Sequence, residues 1–462
     1  MISKNFHLIS LGCAKNTVDS ESIGQLLVTD GYTHTIDPDK AQILIVNTCG
    51  FIGPAKEESY NTLKQLAVHK KEGQLLIAAG CLTQRYGEEV VKQVPEIDGV
   101  LGTRRWMDIL SLIDQLRNSK HPQPIYHLPS DAITVGKDEG NVLRVSIDGP
   151  SAYIKIADGC RRPCAFCAIP LIKGTLISRP PSAILNEAVN LQSRGIREII
   201  LIAQDTTDYG HDLGIKNGLA SLLKELNKSA PNIDWIRIMY AYPGYVTDEL
   251  IDTMANTPQV LSYLDIPLQH GHPMTLRRMR RPANIEWVYN TIQKMRTAMP
   301  NIAIRTTFIV GYPGETKEEF QTLLDFVEEM KFDRVGAFKF SFEPGTTSEA
   351  LGDPIPEEIK LERLDRLMTL QQSISLQKNQ SLIGQTMDVL IEGHGKTENN
   401  SVPIAIGRTY RDAPEIDGLV FVESHPKSPK LPKIGDIVPV KITGAMTYDL
   451  SGIINQEKLI SL

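Results

Sequence analysis

Apolar residues in the first third of the chain fall in short runs separated by amphipathic stretches. Phe6-His7-Leu8-Ile9-Ser10-Leu11, Ile43-Leu44-Ile45-Val46-Asn47 and Leu75-Leu76-Ile77-Ala78-Ala79 read as strands, the second fully buried. Asp19-Ser20 is placed to cap a helix ending near Gly31. A second helix has Pro54 near its first turn and Gly73 just past its end. This strand–helix alternation predicts an open parallel sheet covered on both faces. Over residues 118–150 the periodicity fades and Pro122, Pro124, Pro129, Gly136, Gly140 and Pro150 accumulate, so the stretch reads as a linker with a short strand near Val142-Leu143-Arg144-Val145.

A longer array follows. Strands are predicted at 152–157, 198–203, 235–240, 261–266, 303–309 and 334–341, with helical patterns near 182–194, 218–229, 247–255, 284–298 and 315–330. Six successive β/α units predict a partial or complete α/β barrel, whose active site would sit at the C-terminal strand ends. A helix spans about 357–380. Beyond it, alternating runs at Met387–Glu392, Ile404–Arg408, Leu419–Glu423 and Val438–Ile442 predict a small all-β module, a five-stranded barrel. The resulting division is an N-terminal α/β domain over 3–120, a linker over 121–145, a central β/α domain over 146–376 and a β module over 378–457.

Composition narrows the partners. The chain of 462 residues has a net charge of −6, which gives no whole-chain electrostatic grip on nucleic acid. The β module, with nine Lys/Arg against ten Asp/Glu over 378–462, lacks the basic balance of an oligonucleotide-binding barrel. The N-terminus has no secretory h-region, and no apolar run approaches the roughly 18 residues needed to span a bilayer. The expectation is a soluble cytoplasmic protein, monomeric for want of a coiled coil or a strong amphipathic dimer face.

The chemistry is in six cysteines: Cys13, Cys49, Cys81, Cys160, Cys164 and Cys167. In a reducing compartment such residues are buried, metal-binding or catalytic rather than paired in disulfides. The first three each lie within two residues of the C-terminal end of a predicted strand, where an open parallel sheet collects its ligands. Each adjoins a glycine (Gly12-Cys13, Cys49-Gly50, Gly80-Cys81), which permits a tight turn and close backbone approach to a bulky group. The last three have the spacing C-x3-C-x2-C in a loop after a strand. Zinc sites of four cysteines use two separated pairs, whereas iron–sulfur clusters are held by such closely spaced runs. Three thiolates on a [4Fe–4S] cube leave one iron open to a substrate or cofactor.

This spacing, with Phe166 before the third cysteine, resembles the radical S-adenosylmethionine enzymes. That resemblance implies a cluster on Cys160, Cys164 and Cys167 that binds S-adenosylmethionine and generates a deoxyadenosyl radical. The segment Ile309-Val310-Gly311-Tyr312-Pro313-Gly314-Glu315 resembles the family's adenosine-contacting segment, although Gly311 and Gly314 also read as turn glycines. The whole layout, a three-cysteine α/β domain, a radical SAM partial barrel and a TRAM-like β module, resembles the radical SAM methylthiotransferases. Ser10–Glu21, Asn47–Ile52, Asp265–His270 and Gly407–Gly418 are similar to the RimO type, which modifies an aspartate of the twelfth small-subunit ribosomal protein.

The resemblance implies a second [4Fe–4S] cluster on Cys13, Cys49 and Cys81 that carries the sulfur to be inserted. S-adenosylmethionine then serves as radical source and methyl donor, and no side chain is catalytic in its own right. The target is an unactivated C–H bond, which no side-chain base deprotonates usefully, so a cofactor must supply the hard chemistry. An electron donor is implied; a membrane or a direct nucleic-acid substrate is not expected. Methylthiolation of adenosine in transfer RNA is the alternative, and a non-catalytic two-cluster electron carrier or redox sensor the alternative of another class. Cofactor contacts are expected from Gln204, Arg305, Gly311 and Glu315. Gln204 and Asp205 read equally as cofactor contacts or helix caps. Arg305, inside a predicted strand, holds either a cofactor carboxylate or a structural ion pair. His270 reads as a hydrogen-bonded loop residue, and Arg161-Arg162 as a solvated loop in preference to a donor-docking site.

Overall fold

A computed structural model describes residues 4–119, 123–129, 142–397, 402–424 and 430–455. Residues 3 and 120 of the expected first domain, residues 121–122 and 130–141 of the expected linker, and parts of 378–457 lie outside the described residues.

The first domain alternates β1 (Asn5–Ser10), α1 (Ala14–Thr29), β2 (Thr33–His34), β3 (Ile43–Thr48), α2 (Gly53–His69), β4 (Leu75–Gly80), α3 (Cys81–Gln93), β5 (Gly99–Gly102), α4 (Ile109–Asn118) and β6 (Ile125–His127). Its six strands are all parallel, in the order β2-β1-β3-β4-β5-β6. The chain reverses direction across the sheet between β1 and β3, which makes their carboxyl ends the switch-point crevice. Strand β3 is buried along its whole length, as its unbroken apolar run predicts. Two expectations change. Residues 125–127, inside the predicted linker, add a sixth strand to this sheet. Helix α1 starts at Ala14 with Cys13 as its N-cap, so Asp19 and Ser20 lie within the helix and are buried.

The second domain comprises β7 (Val145–Asp148), β8 (Ser151–Lys155), β9 (Ala157–Asp158), α5 (Ile169–Lys173), β10 (Ile177–Ser178), α6 (Pro181–Ser193), β11 (Glu198–Ile202), α7 (Gly218–Ser229), β12 (Trp235–Ile238), α8 (Asp248–Asn256), β13 (Val260–Asp265), α9 (Pro273–Arg278), α10 (Ile285–Ala298), β14 (Ala303–Val310), α11 (Lys317–Met330), β15 (Arg334–Lys339) and α12 (Glu357–Gln380). Six parallel strands, β8 and β11 to β15, form the partial barrel, with β7 as an antiparallel edge. The helices bury aliphatic faces against it in one large core that includes Ile184, Leu223, Ile251, Ile292, Leu323 and Leu367.

The third domain is a closed five-stranded barrel of β16 (Thr386–Lys396), β17 (Pro403–Arg408), β18 (Val420–Glu423), β19 (Ile437–Ala445) and β20 (Leu450–Ile454). Closure removes the exposed strand edges such a small sheet would otherwise present. Its loop 409–418 packs into the partial barrel. Buried Arg408 reaches Glu198 at 2.6 Å, and the Tyr263 hydroxyl donates to Asp417 at 2.8 Å. Among the described residues no helix is long and apolar enough to cross a membrane.

Candidate active site

All six cysteines line one cavity of about 410 Å³ between the first two domains. Cys13 follows β1, Cys49 follows β3 and Cys81 opens α3 after β4, so three neighbouring strands deliver one thiol each. Glycine lets them meet. Gly12 adopts φ +93°, and a Cβ there would stand 2.8 Å from the Cys49 Cβ. At Gly80, with φ +104°, a Cβ would come within 2.3 Å of Asn47 Oδ1. The first two segments are tied by Asn47, whose Nδ2 donates to Ser20 Oγ at 2.8 Å and to the Asn16 carbonyl at 3.0 Å. The positive N-terminal ends of α1 and α3 fall at Cys13 and Cys81, which suits the negative charge of a bound thiolate-ligated cluster.

The second triplet lies on the loop leaving β9. Gly159 at φ +73° admits the Thr175 carbonyl, which a Cβ would meet at 1.9 Å. The Cys160 amide donates to the Gly174 carbonyl at 3.0 Å, and the Ala165 amide to that of Met279 at 2.8 Å. Cys164 Sγ lies 3.7 Å from the Tyr242 hydroxyl and accepts from Arg281 Nη1 at 3.5 Å. Phe166 packs on Met279, Tyr312 and Phe340.

Burial pushes the thiols up, Cys81 and Cys167 to about 12 and Cys160 to about 11. Such thiols stay protonated at neutral pH unless a cation replaces the proton, which iron does when it binds. Among the described residues no three His, Cys, Asp or Glu side chains converge to hold a single metal ion. A cube takes its three thiolates on separate irons, so the donor set is compatible with a cluster in each triplet.

Gln204 lines the cavity, donates to Asp158 Oδ1 at 3.1 Å and keeps its own buried Oε1 unpartnered. Asp205 neither lines the cavity nor caps a helix through its side chain. It accepts from buried Arg162 at 2.6 Å. Arg162 also stacks on Tyr245, 3.5 Å from the ring centroid, so it departs from the solvated-loop reading, while Arg161 stays exposed and pairs with Asp208 at 2.6 Å.

The other three expected cofactor contacts lie off the cavity lining. Arg305 forms the structural ion pair, donating to Asp265 at 3.0 Å and facing Asp417 of the third domain at 3.4 Å. Gly311, at φ +72°, serves packing: a Cβ there would meet Lys360 Cγ at 2.4 Å. Glu315 turns back on its own loop, accepting from the Tyr312 amide at 3.0 Å, and faces Arg363 at 3.3 Å. His270 is a buried loop residue whose Nδ1 accepts from the His272 amide at 2.9 Å.

The structure adds residues that no motif marked. Asp19 of α1 accepts from Lys155 of β8 at 2.7 Å, from Lys173 of α5 at 2.8 Å and from Arg144. Burial alone would raise its pKa, but Lys155, Lys173 and Arg144 hold the carboxyl far below the usual range. This network bolts the first domain to the second beside the cavity, which Lys173 also lines. Tyr240 and Gln269, both cavity-lining, take left-handed backbone at φ +61° and +76°. Such strain in non-glycine residues is held in place by its surroundings and gathers at functional sites.

Family models match in three blocks: the Radical SAM superfamily over residues 154–327, Uncharacterized protein family UPF0004 over 5–102 and the TRAM domain over 383–454. Ribosomal protein uS12 methylthiotransferase RimO of Chloroflexus aurantiacus is 47% identical over 457 residues, covering 97% of this chain and 99% of that protein. Its counterpart from Roseiflexus sp. is 44% identical, covering 97% of this chain and 96% of that protein. Among solved structures, the radical S-adenosylmethionine methyltransferase TsrM from Kitasatospora setae, with cobalamin and a [4Fe-4S] cluster bound, shares the fold at TM-score 0.55 and 13% identity, over 84% of this chain and 80% of that one.

Proposed function

The chain belongs to the RimO family of ribosomal protein uS12 methylthiotransferases, and within that activity we propose how its cavity divides the work. The enzyme replaces a hydrogen on the β-carbon of an aspartate in uS12 by a methylthio group. When bound, the iron–sulfur clusters and S-adenosylmethionine supply the hydrogen-abstracting radical, the sulfur and the methyl group.

In our reading Cys160, Cys164 and Cys167 hold the radical-generating cluster, and Cys13, Cys49 and Cys81 the auxiliary cluster. Gln204 offers its unpartnered carbonyl oxygen to the cofactor. Arg281 and Tyr242 orient Cys164. The Asp19–Lys155–Lys173 network fixes the two triplets relative to each other, because its members come from both domains. Phe51, Ile169, Ile172 and Phe338 supply apolar wall that excludes water from a reacting radical. An external electron donor, a cytoplasmic setting and a monomeric state complete the reading.

The observation that carries it is the convergence of six thiols, distant in sequence, on one inter-domain cavity. The experiment is a pair of variants assayed anaerobically with uS12. Cys160→Ala abolishes deoxyadenosine release, while Cys49→Ala still cleaves S-adenosylmethionine but transfers no methylthio group. Normal methylthiolation by Cys49→Ala would remove the auxiliary role of the first triplet.

A further inference from the structure

Four cationic side chains line the cavity: Lys15, Arg162, Lys173 and Arg281. Two already have carboxylates. Arg162 is paired with Asp205 at 2.6 Å, and Lys173 with Asp19 at 2.8 Å. Arg281 is committed to the second triplet through Cys164 and stacks 4.1 Å from the Tyr242 ring centroid. Lys15 differs from all three. It stands on α1 in the first domain, yet its Nζ lies 3.2 Å from the ring centroid of Tyr240, at the end of β12 in the second.

Lys15 makes no ion pair with any described carboxylate. Asp265, the nearby acid, is taken by Arg305 at 3.0 Å and by the Tyr240 amide at 3.2 Å. An aromatic face satisfies an ammonium on one side only and leaves donors for an anion on the other. Tyr240 is held there by a left-handed backbone at φ +61°, so the cation is presented rather than left to wander. Its position bridges the two triplets. Lys15 is two residues from Cys13, and Tyr240 is two residues from Tyr242, which touches Cys164 at 3.7 Å.

We propose that Lys15 receives the side-chain carboxylate of the substrate aspartate. The inference rests on the uS12 reading above and names the residue that recognises its acidic target. A carboxylate entering a cavity with a mostly apolar lining needs an opposite charge to offset desolvation. The carbon to be modified is bonded directly to that carboxylate, so anchoring it at Lys15 sets the β-carbon between the two sets of cysteines. Lys15 is a substrate-binding and specificity residue here; it moves no proton and takes no part in bond making.

The test is equilibrium binding of purified uS12 to the holoenzyme by fluorescence anisotropy, with uS12 carrying the target aspartate or asparagine in its place. Wild-type enzyme binds the aspartate form at least about 30-fold more tightly, the low end for loss of one member of a buried charge pair. Lys15→Met binds both forms equally at the weaker level, and Lys15→Arg restores part of the preference. Retention of the preference in Lys15→Met overturns the assignment, as does a wild-type enzyme that methylthiolates uS12 without preferring aspartate. Loss of roughly half the bound iron in Lys15→Met also overturns it, by placing Lys15 with the auxiliary cluster. Failure of the wild-type enzyme to methylthiolate uS12 at all would instead overturn the substrate reading beneath it.

Discussion

Replacing Asp19 by asparagine exchanges a charged oxygen for an amide with almost no change in volume, so it isolates the electrostatics of the inter-domain bolt. Asp19, Arg144, Lys155 and Lys173 have side chains at most 5% exposed, and Asp19 faces all three cations. In the variant, buried Lys155 and Lys173 keep Asp158 as a shared close carboxylate, and Arg144 loses its contact with a charged Asp19 oxygen. Breaking a buried pair by removing one partner costs about 3–5 kcal/mol, chiefly from the charges left uncompensated. At about 2–4 °C per kcal/mol for a domain of this size, Tm falls by roughly 6–20 °C.

The assay is thermal unfolding of anaerobic wild-type and Asp19→Asn protein at matched scan rates. Glu249→Gln is the control, because its pair with Lys224 is nearly half exposed and contributes about 0–1 kcal/mol. The pH dependence has a definite sign. The folded pKa of Asp19 lies below its unfolded value of 3.8, so its stabilisation is present above that value and is lost only as pH falls towards the depressed one. The gap between wild type and Asp19→Asn is therefore constant from pH 7 to about pH 5. A Tm difference no larger than that of Glu249→Gln would refute the reasoning.

Gly311→Ala forces a side chain into left-handed backbone at φ +72° and against Lys360, and should cost about 1–3 kcal/mol in urea unfolding, whereas an unchanged midpoint would mean the turn relaxes freely. Burial pushes His270 below its ordinary 6.5, so the neutral imidazole stabilises the fold above that pH and the contribution is lost as pH falls below it; His270→Gln should flatten the slope of Tm between pH 7 and 5.5, and identical slopes would exclude the effect. Burial raises Glu198, but Arg408 and Arg237 hold it down at about 2, so Arg408→Met should weaken the seat of the third domain by about 3 kcal/mol. Faster proteolytic cleavage near Ser381–Gln385 reads that loss, and an unchanged cleavage rate would show that the loop 409–418 holds without it.

The sequence displayed those parts of the molecule whose causes are local. C-x3-C-x2-C is visible because one loop carries all three thiols, and the first triplet because each cysteine follows an apolar strand and touches a glycine. The strands themselves follow from their apolar runs. What stayed hidden depends on partners far along the chain. Asp19 reads as a helix cap by residue type, but its partners are 125 to 154 positions away and draw it into the interior. Arg305 had two readings, and the partners it faces in the fold, Asp265 of β13 and Asp417 of the third domain, are not adjacent to it in sequence. Gly311 and Glu315 lie in a segment that resembles a cofactor-binding turn, where Glu315 accepts from the Tyr312 amide and a Cβ on Gly311 would meet Lys360 of α12. Lys15 was within reach, being two positions past a cysteine at a strand end, but nothing local reveals that it lacks a carboxylate.

The central claim, that both triplets act on one aspartate inside one cavity, is tested most directly by isotope transfer. uS12 carrying β-deuterated aspartate is turned over anaerobically with wild-type enzyme, and the released deoxyadenosine is analysed by mass spectrometry together with the modified peptide. The account predicts deuterium in the deoxyadenosine, in step with a methylthio group on the same residue. Deoxyadenosine free of deuterium while uS12 is being modified would contradict it.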